Sequence, residues 1–337
     1  MGLAEYAPLA VVTINGIPLS GILFNQLSSI AVYEGSGIES DAIDLEFAGS
    51  GVFGRIALPE PGAEIRVGLG AGLFFRDFGV FVADECEVSN PPLTIRVRGL
   101  AKPQTATGGG LAPLHVQKSR SWDEDLSLGA IVEKIAGEAG LEPVVSDLVA
   151  GLLVGHLDQI DESDIALLTR IGSELDLLVK PVAARLFVGP RGSGVTASGK
   201  PMPAIPLLEA DVSRWSVRRS AGEKVGAVVA TYRDLVSAEE VEVKAGDAEP
   251  ERRLRGVFID AASAQAAAES ELARAGRTSE ALEVSMPGNA LVTVESVVLP
   301  VFAAASAGRW VIAGCQHFLS GSGFTTSFSA ERLAPQE

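Results

Sequence analysis

Two amphipathic helical patterns interrupt a chain whose hydrophobic residues otherwise tend to alternate with polar ones. After Ser127, apolar residues recur at three- and four-residue steps from Leu128 to Ala139, which places them on one helix face. Ser127 suits the N-cap position, and Gly140 followed by Pro143 indicates where the helix ends. This segment therefore predicts a helix that buries one side.

A second helix is predicted to begin at Asp161 as its N-cap, with Asp164 three residues later in the spacing of a capping box. Apolar residues from Ile165 to Leu175 then form the stripe that the helix would bury. The alternating segment from Leu178 to Val188 predicts a strand, and Pro181 within it places that strand at a sheet edge.

Short alternating strands and turns dominate the chain on both sides of these helices. The N-terminal region includes a hairpin signal at Asn15-Gly16. The C-terminal region is interrupted by an alanine-rich helix, predicted over residues 261–275 with Asp260 as its cap. Strands that precede and follow a helical segment indicate an α+β protein in which β structure predominates.

The C-terminal β region resembles the N-terminal one. Residues 281–299 share with residues 43–69 a strand, a turn that contains proline and glycine, and a second strand. Residues 309–333 share with residues 80–100 a long strand that passes through a cysteine, followed by a turn and an alternating strand. The similarity predicts two related β units within one chain.

The predicted fold is α+β and mostly β, with two small antiparallel, tube-like β-barrel domains separated by a smaller α/β domain with two helices. A linker is expected around Gly108-Gly109-Gly110. The predicted domains, in chain order, are a first β-barrel over 1–100, the linker over 101–117, the helical insert over 118–206, and a second β-barrel over 207–337 that includes the helix at 261–275.

Charge and composition narrow the classes of function. The 337 residues carry a net charge of −16, and no basic stripe is visible, which argues against a sequence-specific nucleic-acid binder. The two cysteines, Cys86 and Cys315, are too few for a secreted disulfide scaffold, and neither has a partner at metal-ligand spacing. No basic leader or long apolar run is present, so we expect a protein made in a cytoplasm, without membrane insertion.

Candidate catalytic groups are few. The acidic run from Asp158 to Asp164 could hold a divalent metal or supply a general acid, or its acids could serve only the start of a helix. Cys315 and His317 lie two residues apart in a predicted strand, so their side chains face the same side, either as a packed pair or as a catalytic pair. No catalytic sequence motif occurs, and we expect neither an enzyme nor a cofactor or metal site.

A set of residues in and after the predicted insert forms a family pattern. In the insert these are Gln117, Ser119-Arg120-Ser121-Trp122, Leu128-Gly129, Gly140-Leu141-Glu142-Pro143, Asp158-Gln159, Glu162-Ser163-Asp164, Leu168 and Arg170. Further along, the matches are Trp215, Tyr232, Leu254-Arg255, Pro287-Gly288, Gly308, Trp310 and His317. The pattern resembles that of the phage late control protein D family, the baseplate or tail hub of contractile tails, which is similar to the N-terminal hub region of VgrG spike proteins. The resemblance covers about residues 115–335 and is looser over the first hundred.

The resemblance implies a structural protein, a homotrimer with two barrels per chain that joins a sixfold tail tube to a threefold spike. The implied partners are the tail tube protein, the central spike protein, the tape-measure protein and baseplate wedge proteins, while DNA passes through without specific binding. The implied location is the virion tail baseplate, after assembly in the bacterial host cytoplasm. The pattern residues would then have structural roles.

Two hypotheses stay open at this point. The first is the structural hub, and the second is a metal-assisted hydrolase that uses Asp158, Asp161 or Asp164. Trimerisation and spike binding test the first, and a measurable hydrolytic activity tests the second. The hub hypothesis also predicts that part of the negative charge lines a channel, so that tape-measure protein and DNA do not adhere.

Overall fold

A computed structural model describes most of the chain as a mostly β protein with four helices. The described residues are 8–36, 41–48, 59–72, 74–101, 113–182, 185–196, 200–220, 225–234, 237, 239–302 and 304–333. The helices are α1 (Gly21–Gln26), α2 (Leu128–Ala139), α3 (Asp164–Glu174) and α4 (Ala261–Thr278). The N-terminal strands are β1 (Pro8–Ile14), β2 (Ile17–Pro18), β3 (Leu27–Gly35), β4 (Ala42–Ala48), β5 (Glu64–Ala71), β6 (Phe74–Ser89) and β7 (Thr94–Ala101).

The remaining strands fall into two groups along the chain. Those of the helical insert are β8 (Gln117–Trp122), β9 (Glu142–Val145), β10 (Leu157–Ser163), β11 (Leu177–Val182) and β12 (Arg185–Pro190). Those of the C-terminal region are β13 (Ile205–Leu207), β14 (Arg214–Arg219), β15 (Ala227–Arg233), β16 (Glu240–Gly246), β17 (Glu251–Phe258), β18 (Glu280–Pro287), β19 (Val297–Pro300), β20 (Trp310–Ser320) and β21 (Gly323–Arg332).

One sheet of 13 strands runs through both β regions. Its main path is β14-β18-β21-β20-β3-β4-β7-β6-β5-β1-β2, and β13 and β19 attach beside β20. The two regions join where β20 pairs antiparallel with β3, from Gly314 opposite Gly35 to Ser320 opposite Ser29. We call this junction the seam. It forms because β20 continues beyond its pairing with β19, and an exposed strand edge satisfies its backbone groups by pairing.

The mostly β, α+β class is confirmed, but the expectation of two barrels is wrong. Among the described residues, none of the sheets closes into a barrel. The strands of the two β regions instead form one continuous sheet, which is joined at the seam. Alternation of apolar and polar residues predicts strands with one buried face. It does not distinguish a closed barrel from an open sheet to which both β regions contribute strands.

The two β regions nevertheless repeat the same strand order. The series β3-β4-β7-β6-β5 corresponds to β14-β18-β21-β20-β19, and every neighbouring pair in both series is antiparallel. The long strands β6 and β20 also each carry a β-bulge two residues before a cysteine. The bulges fall at Asp84 before Cys86 and at Ala313 before Cys315. The internal repeat predicted from the sequence is therefore present in the topology.

The hydrophobic core is divided into clusters that follow these units. One cluster fills the N-terminal half of the large sheet, and another, which contains the fully buried Trp310, fills the C-terminal half. A third lies between α2, α3 and the small sheet β11-β12-β9, with Trp122, Ile131 and Leu168 among its members. The alanine-rich α4 packs on the sheet β16-β15-β17 through Ala264 and Ala268.

The start and end of α2 agree with the prediction, but the start of α3 does not. Ser127 Oγ accepts from the Ala130 amide at 3.2 Å, and Gly140 ends the helix with φ 67°. The N-cap of α3 is Ser163, whose hydroxyl accepts from the Ala166 amide at 3.3 Å. Asp161 lies in β10 with φ 48°, so its prediction as the cap is wrong. Pairing with β8 continues to Ser163, which delays the helix.

The segment from Leu178 to Val188 forms a hairpin rather than the single predicted strand. Its strands β11 and β12 pair antiparallel, with Pro181 opposite Leu186, and residues 183 and 184 are outside the described residues. The strand that contains Pro181 does lie at a sheet edge, as a proline without an amide proton favours.

The remaining points concern the end of α4, the short helix α1 and the predicted linker. Helix α4 ends at Thr278 and runs past the predicted end at residue 275. The six-residue α1, capped by Ser20, was not predicted. The glycines of the predicted linker, Gly108-Gly109-Gly110, are outside the described residues. Within the described part of the chain, no helix has the length and apolar character needed to cross a membrane.

Candidate functional site

The two segments of the family pattern meet side by side in the helical insert. Strand β8 pairs antiparallel with β10, with Arg120 opposite Gln159 and Ser121 opposite Asp158. Helix α3 follows β10 without an intervening loop. Residues that lie about forty positions apart in the sequence therefore project into one polar network, which we call the insert network.

Asp164 is the centre of the insert network. Its side chain is 1% exposed, and its carboxylate accepts from Lys118 Nζ and Arg120 Nη2, each at 2.6 Å. The same carboxylate accepts from Gln159 Nε2 at 2.8 Å. Because a buried carboxylate is costly unless it is paired and hydrogen-bonded, these three partners explain how an aspartate can occupy the first turn of α3 in the interior.

Gln159 connects the buried carboxylate to the aromatic core of the insert. It is fully buried, and its Oε1 accepts from Arg120 Nε at 2.9 Å and from Trp122 Nε1 at 3.2 Å. Its Nε2 donates to Asp164 and, at 2.9 Å, to the Glu162 carbonyl. The Arg120 guanidinium also lies 4.3 Å from the Trp122 ring centroid. Every polar position of the amide is thus used, which fixes the separation between β8 and α3.

Three further ion pairs extend the network to both helices. Arg170 of α3 donates to Glu162 from Nε at 3.2 Å and from Nη2 at 2.9 Å, and its Nη2 reaches the Asp158 carbonyl at 3.2 Å. Glu138 of α2 accepts from Lys118 at 2.7 Å and Arg120 at 2.8 Å. The hydrogen bond from Lys118 is the main reason why the pKa of Glu138 is lowered. The network therefore joins α2, β8, β10 and α3.

The acidic run has the environment of a structural brace and not of a metal site. Asp158 accepts from Ser121 Oγ at 2.7 Å, a contact that lowers the pKa of its carboxyl group, and Asp161 accepts from Ser119 Oγ at 3.1 Å. Glu162 and Asp164 face arginine and lysine as described above. In the described ranges, the run does not bring three metal-ligating atoms together, so the geometry does not favour the hydrolase hypothesis.

The other residues of the family pattern lie away from the insert network. Gly140 ends α2, and Trp215 of β14 stacks near Phe302 with ring centroids 5.0 Å apart. Trp310, at the start of β20, donates from Nε1 to the Ser306 carbonyl at 2.7 Å. His317 lies further along β20, within the seam.

A second buried polar cluster lies in the seam itself, where the two halves of the large sheet join. Glu34 of β3 accepts from Arg76 Nη2 at 2.6 Å and Nη1 at 3.1 Å and from Thr293 Oγ1 at 3.2 Å. Burial alone would raise the pKa of Glu34, but hydrogen bonds from His317 and Arg76 lower it. Cys315 Sγ lies 3.4 Å from His317 Nε2, so these two side chains share a face, as their spacing predicted.

Two curated proteins are similar to this chain over long stretches. The chain is 28% identical over 364 aligned residues to a "Probable baseplate hub protein" of Escherichia phage P2, which covers 95% of this chain and 92% of that protein. It is 32% identical over 211 residues to a "Probable baseplate hub protein" of Escherichia phage 186. That match covers 62% of this chain and 51%, about half, of the relative. The chain is therefore similar over nearly its whole length to a phage baseplate hub protein.

Solved structures of tail proteins share the fold of this chain. The 43 kDa tail protein of prophage MuSo2 from Shewanella oneidensis aligns with a TM-score of 0.70 at 16% identity, over 96% of this chain and 98% of that one. A tail protein from Neisseria meningitidis MC58 aligns with a TM-score of 0.71 at 13% identity, over 97% of both chains. An E. coli component of the type VI secretion system aligns with a TM-score of 0.57 at 15% identity, over 97% of this chain and 77% of that one. No family model matches the chain.

Several residues that complete these clusters were not identified from the sequence. Glu138 lies on the polar side of α2, where a charged residue is ordinary and carries no signal of a distant partner. Glu34 and Arg76 meet across 42 residues, and no local pattern links them. Only the shared face of Cys315 and His317 could be predicted, because strand periodicity fixes it.

Proposed function

We propose that this chain is the structural tail hub of a phage or phage-like contractile injection system. Three copies would form a trimer that joins a sixfold tail tube to a threefold spike. Similarity to two baseplate hub proteins supports the hub role, and the architecture of the chain supports the finer part of the proposal, the adaptor. The proposed role requires shape and assembly, and it requires no catalysis.

The repeated strand order is the observation that carries the adaptor role. Each chain contains two antiparallel units with the same order of five strands and a bulge at the same place. Three chains would therefore present six similar units, which is the number needed to face a ring of six subunits. The seam between β3 and β20 fixes how the two units of one chain lie relative to each other.

The insert network supports a rigid attachment for the helical part. A brace that connects two strands and two helices by charge-assisted hydrogen bonds holds its surface in one arrangement. In the proposed assembly this part lies outside the ring, where it contacts spike or other baseplate components. The domain boundaries assigned from the sequence, with the insert over 118–206, belong to the same proposal.

Charge supports a further part of the proposal. With a net charge of −16, the trimer would line its channel with negative groups that repel DNA, so that DNA and tape-measure protein pass without adhering. The proposed partners are the tube, spike, tape-measure and wedge proteins, and the proposed location is the virion tail baseplate after assembly in the host cytoplasm. A trimer whose bore is neutral or basic would contradict this part alone.

Light scattering coupled to size-exclusion chromatography tests the trimer and the spike contact together. The chain is measured alone and after mixing with the spike protein encoded in the same genome, and we expect a species of three times the 34.9 kDa chain mass, at least when the spike is present. The Asp158→Ala variant, changed at an exposed acid, should assemble like the wild type. A monomer that persists and does not bind the spike would contradict the proposal.

A further inference from the structure

Three side chains that commonly bind metals meet in the seam. Cys315 lies directly opposite Glu34 in the register of β20 and β3, and His317 follows two residues later on the same face. All three side chains are buried, and their ligand atoms lie within 4.8 Å of one another. One ligand comes from the N-terminal half of the sheet and two come from the C-terminal half.

The known separations between these atoms are close to those between the ligands of a small tetrahedral cation. His317 Nε2 lies 3.4 Å from Cys315 Sγ, 3.5 Å from Glu34 Oε2 and 3.1 Å from the Val292 carbonyl oxygen. That carbonyl oxygen is 3.7 Å from Cys315 Sγ. A tetrahedral Zn²⁺ with bonds of about 2.0–2.3 Å holds its ligands roughly 3.3–3.7 Å apart. Three of these four separations fall in that range, and the separation of His317 Nε2 from the Val292 oxygen is slightly shorter.

The hydrogen bonds of the imidazole orient its Nε2 toward this centre. Thr326 Oγ1 donates to the Asn289 carbonyl at 3.3 Å and accepts from the Asn289 amide at 2.9 Å. The contact of Thr326 with His317 Nδ1, at 3.1 Å, is compatible with either ring tautomer. The tautomer with Nδ1–H presents the Nε2 lone pair to a cation at this centre, and the other tautomer presents an Nε2–H that donates to the Val292 carbonyl at 3.1 Å.

The surroundings of Glu34 suit a carboxylate ligand. Arg76 and Thr293 both donate to Oε1, and Arg76 makes one longer contact to Oε2, so Oε2 retains a free acceptor position toward the centre. Carboxylates that bind metals are commonly held by outer hydrogen bonds of this kind. Arg76 also stacks over Phe78, 4.6 Å from the ring centroid, which fixes the guanidinium.

We propose that Glu34, Cys315 and His317 bind one structural Zn²⁺, with the Val292 carbonyl as the fourth ligand, and that the ion links the two halves of the large sheet. Mixed sulfur, nitrogen and oxygen ligands in a tetrahedral arrangement select zinc among the common divalent cations. Binding releases the Cys315 thiol proton to solvent and keeps the His317 proton on Nδ1, so that the thiolate and Nε2 both face the metal. The four-ligand shell leaves no open position, so the ion would be structural. This inference does not depend on the trimer proposal.

Metal content of the purified full-length chain tests the site. The protein is produced with zinc in the medium, dialysed against metal-free buffer and measured by mass spectrometry for zinc per chain. We expect about one zinc per wild-type chain and at least a tenfold loss in Cys315→Ala. The matched control is Cys86→Ala, which removes the cysteine at the corresponding place in the other half and should keep its zinc. Circular dichroism verifies that each variant is folded.

Cobalt substitution gives an independent readout of the ligands. Co²⁺ bound to a thiolate produces a sulfur-to-metal absorption band, which we expect in the wild type and in Cys86→Ala and not in Cys315→Ala. His317→Gln should weaken binding while it keeps the thiolate. A wild-type chain that contains less than about a tenth of a zinc and gives no cobalt–thiolate band would overturn the proposal, as would full zinc retention in Cys315→Ala. The seam would then be held by hydrogen bonds alone.

Discussion

Removal of the Asp164 carboxylate is the sharpest test of the insert network. Asp164 is 1% exposed and accepts two charge-assisted hydrogen bonds at 2.6 Å and one from an amide at 2.8 Å. Loss of one member of a buried ion pair costs about 3–5 kcal/mol. Lys118 and Arg120 keep Glu138 as a partner and retain 27% and 19% side-chain exposure, which recovers part of that cost. We therefore expect Asp164→Ala to lower the free energy of unfolding by about 3 kcal/mol.

The assay combines urea denaturation, followed by circular dichroism, with hydrogen exchange of the backbone amides. The exchange data should locate the loss in α2, α3, β8 and β10, because the network connects these elements. Asp158→Ala is the matched control, since the carboxylate of Asp158 is exposed and contacts Ser121 and His156, and the variant should behave like the wild type. A loss below about 1 kcal/mol for Asp164→Ala, or one equal to that of Asp158→Ala, would refute the reasoning.

Three further effects are expected. Burial raises the pKa of Glu295 from 4.5 to about 7, so the folded chain holds a proton that the unfolded chain releases, and stability falls as pH rises from about 4.5 through 7. Glu295→Gln should flatten that profile and stabilise the chain at pH 8 by up to about 3 kcal/mol; identical unfolding profiles for both proteins would contradict this. Ser163→Ala should cost about 1 kcal/mol as the N-cap of α3, whereas Asp161→Asn should not, and urea titrations that reverse this order would restore Asp161 as the cap. Gly140→Ala, at the residue that ends α2 with φ 67°, should lower the melting temperature by a few degrees, corresponding to about 1 kcal/mol. An unchanged melting temperature would show that the left-handed conformation is not required.

Local patterns predicted the parts of the fold that depend on neighbours in sequence. The apolar spacing and Ser127 defined α2, and Asn15-Gly16 defined a hairpin that the structure contains. The start of α3 was missed because strand pairing with β8 competes with the capping signal at Asp161. Barrel closure could not be decided either, because the pairing of β20 with β3 joins residues nearly three hundred positions apart, and periodicity contains no information about such a partner.

The candidate sites, like the fold, could be predicted only as far as they depend on neighbours in sequence. Asp158, Glu162 and Asp164 were identified as an acidic run, but their meaning depends on Lys118 and Arg120, which reach them only when β8 pairs with β10. The sequence therefore indicated where the polar residues lie and left open whether they bind a ligand or one another. Distances between charged atoms resolved this point in favour of a structural brace.

Electron cryomicroscopy of the assembled tail that contains this chain tests the adaptor role most directly. The expected reconstruction has three copies of the chain on the tail axis, between the last ring of the tube and the spike, with the two similar β units of each copy facing the six tube subunits. A reconstruction in which the chain lies off the axis, or in which only one β unit of each copy contacts the tube, would contradict the proposed adaptor.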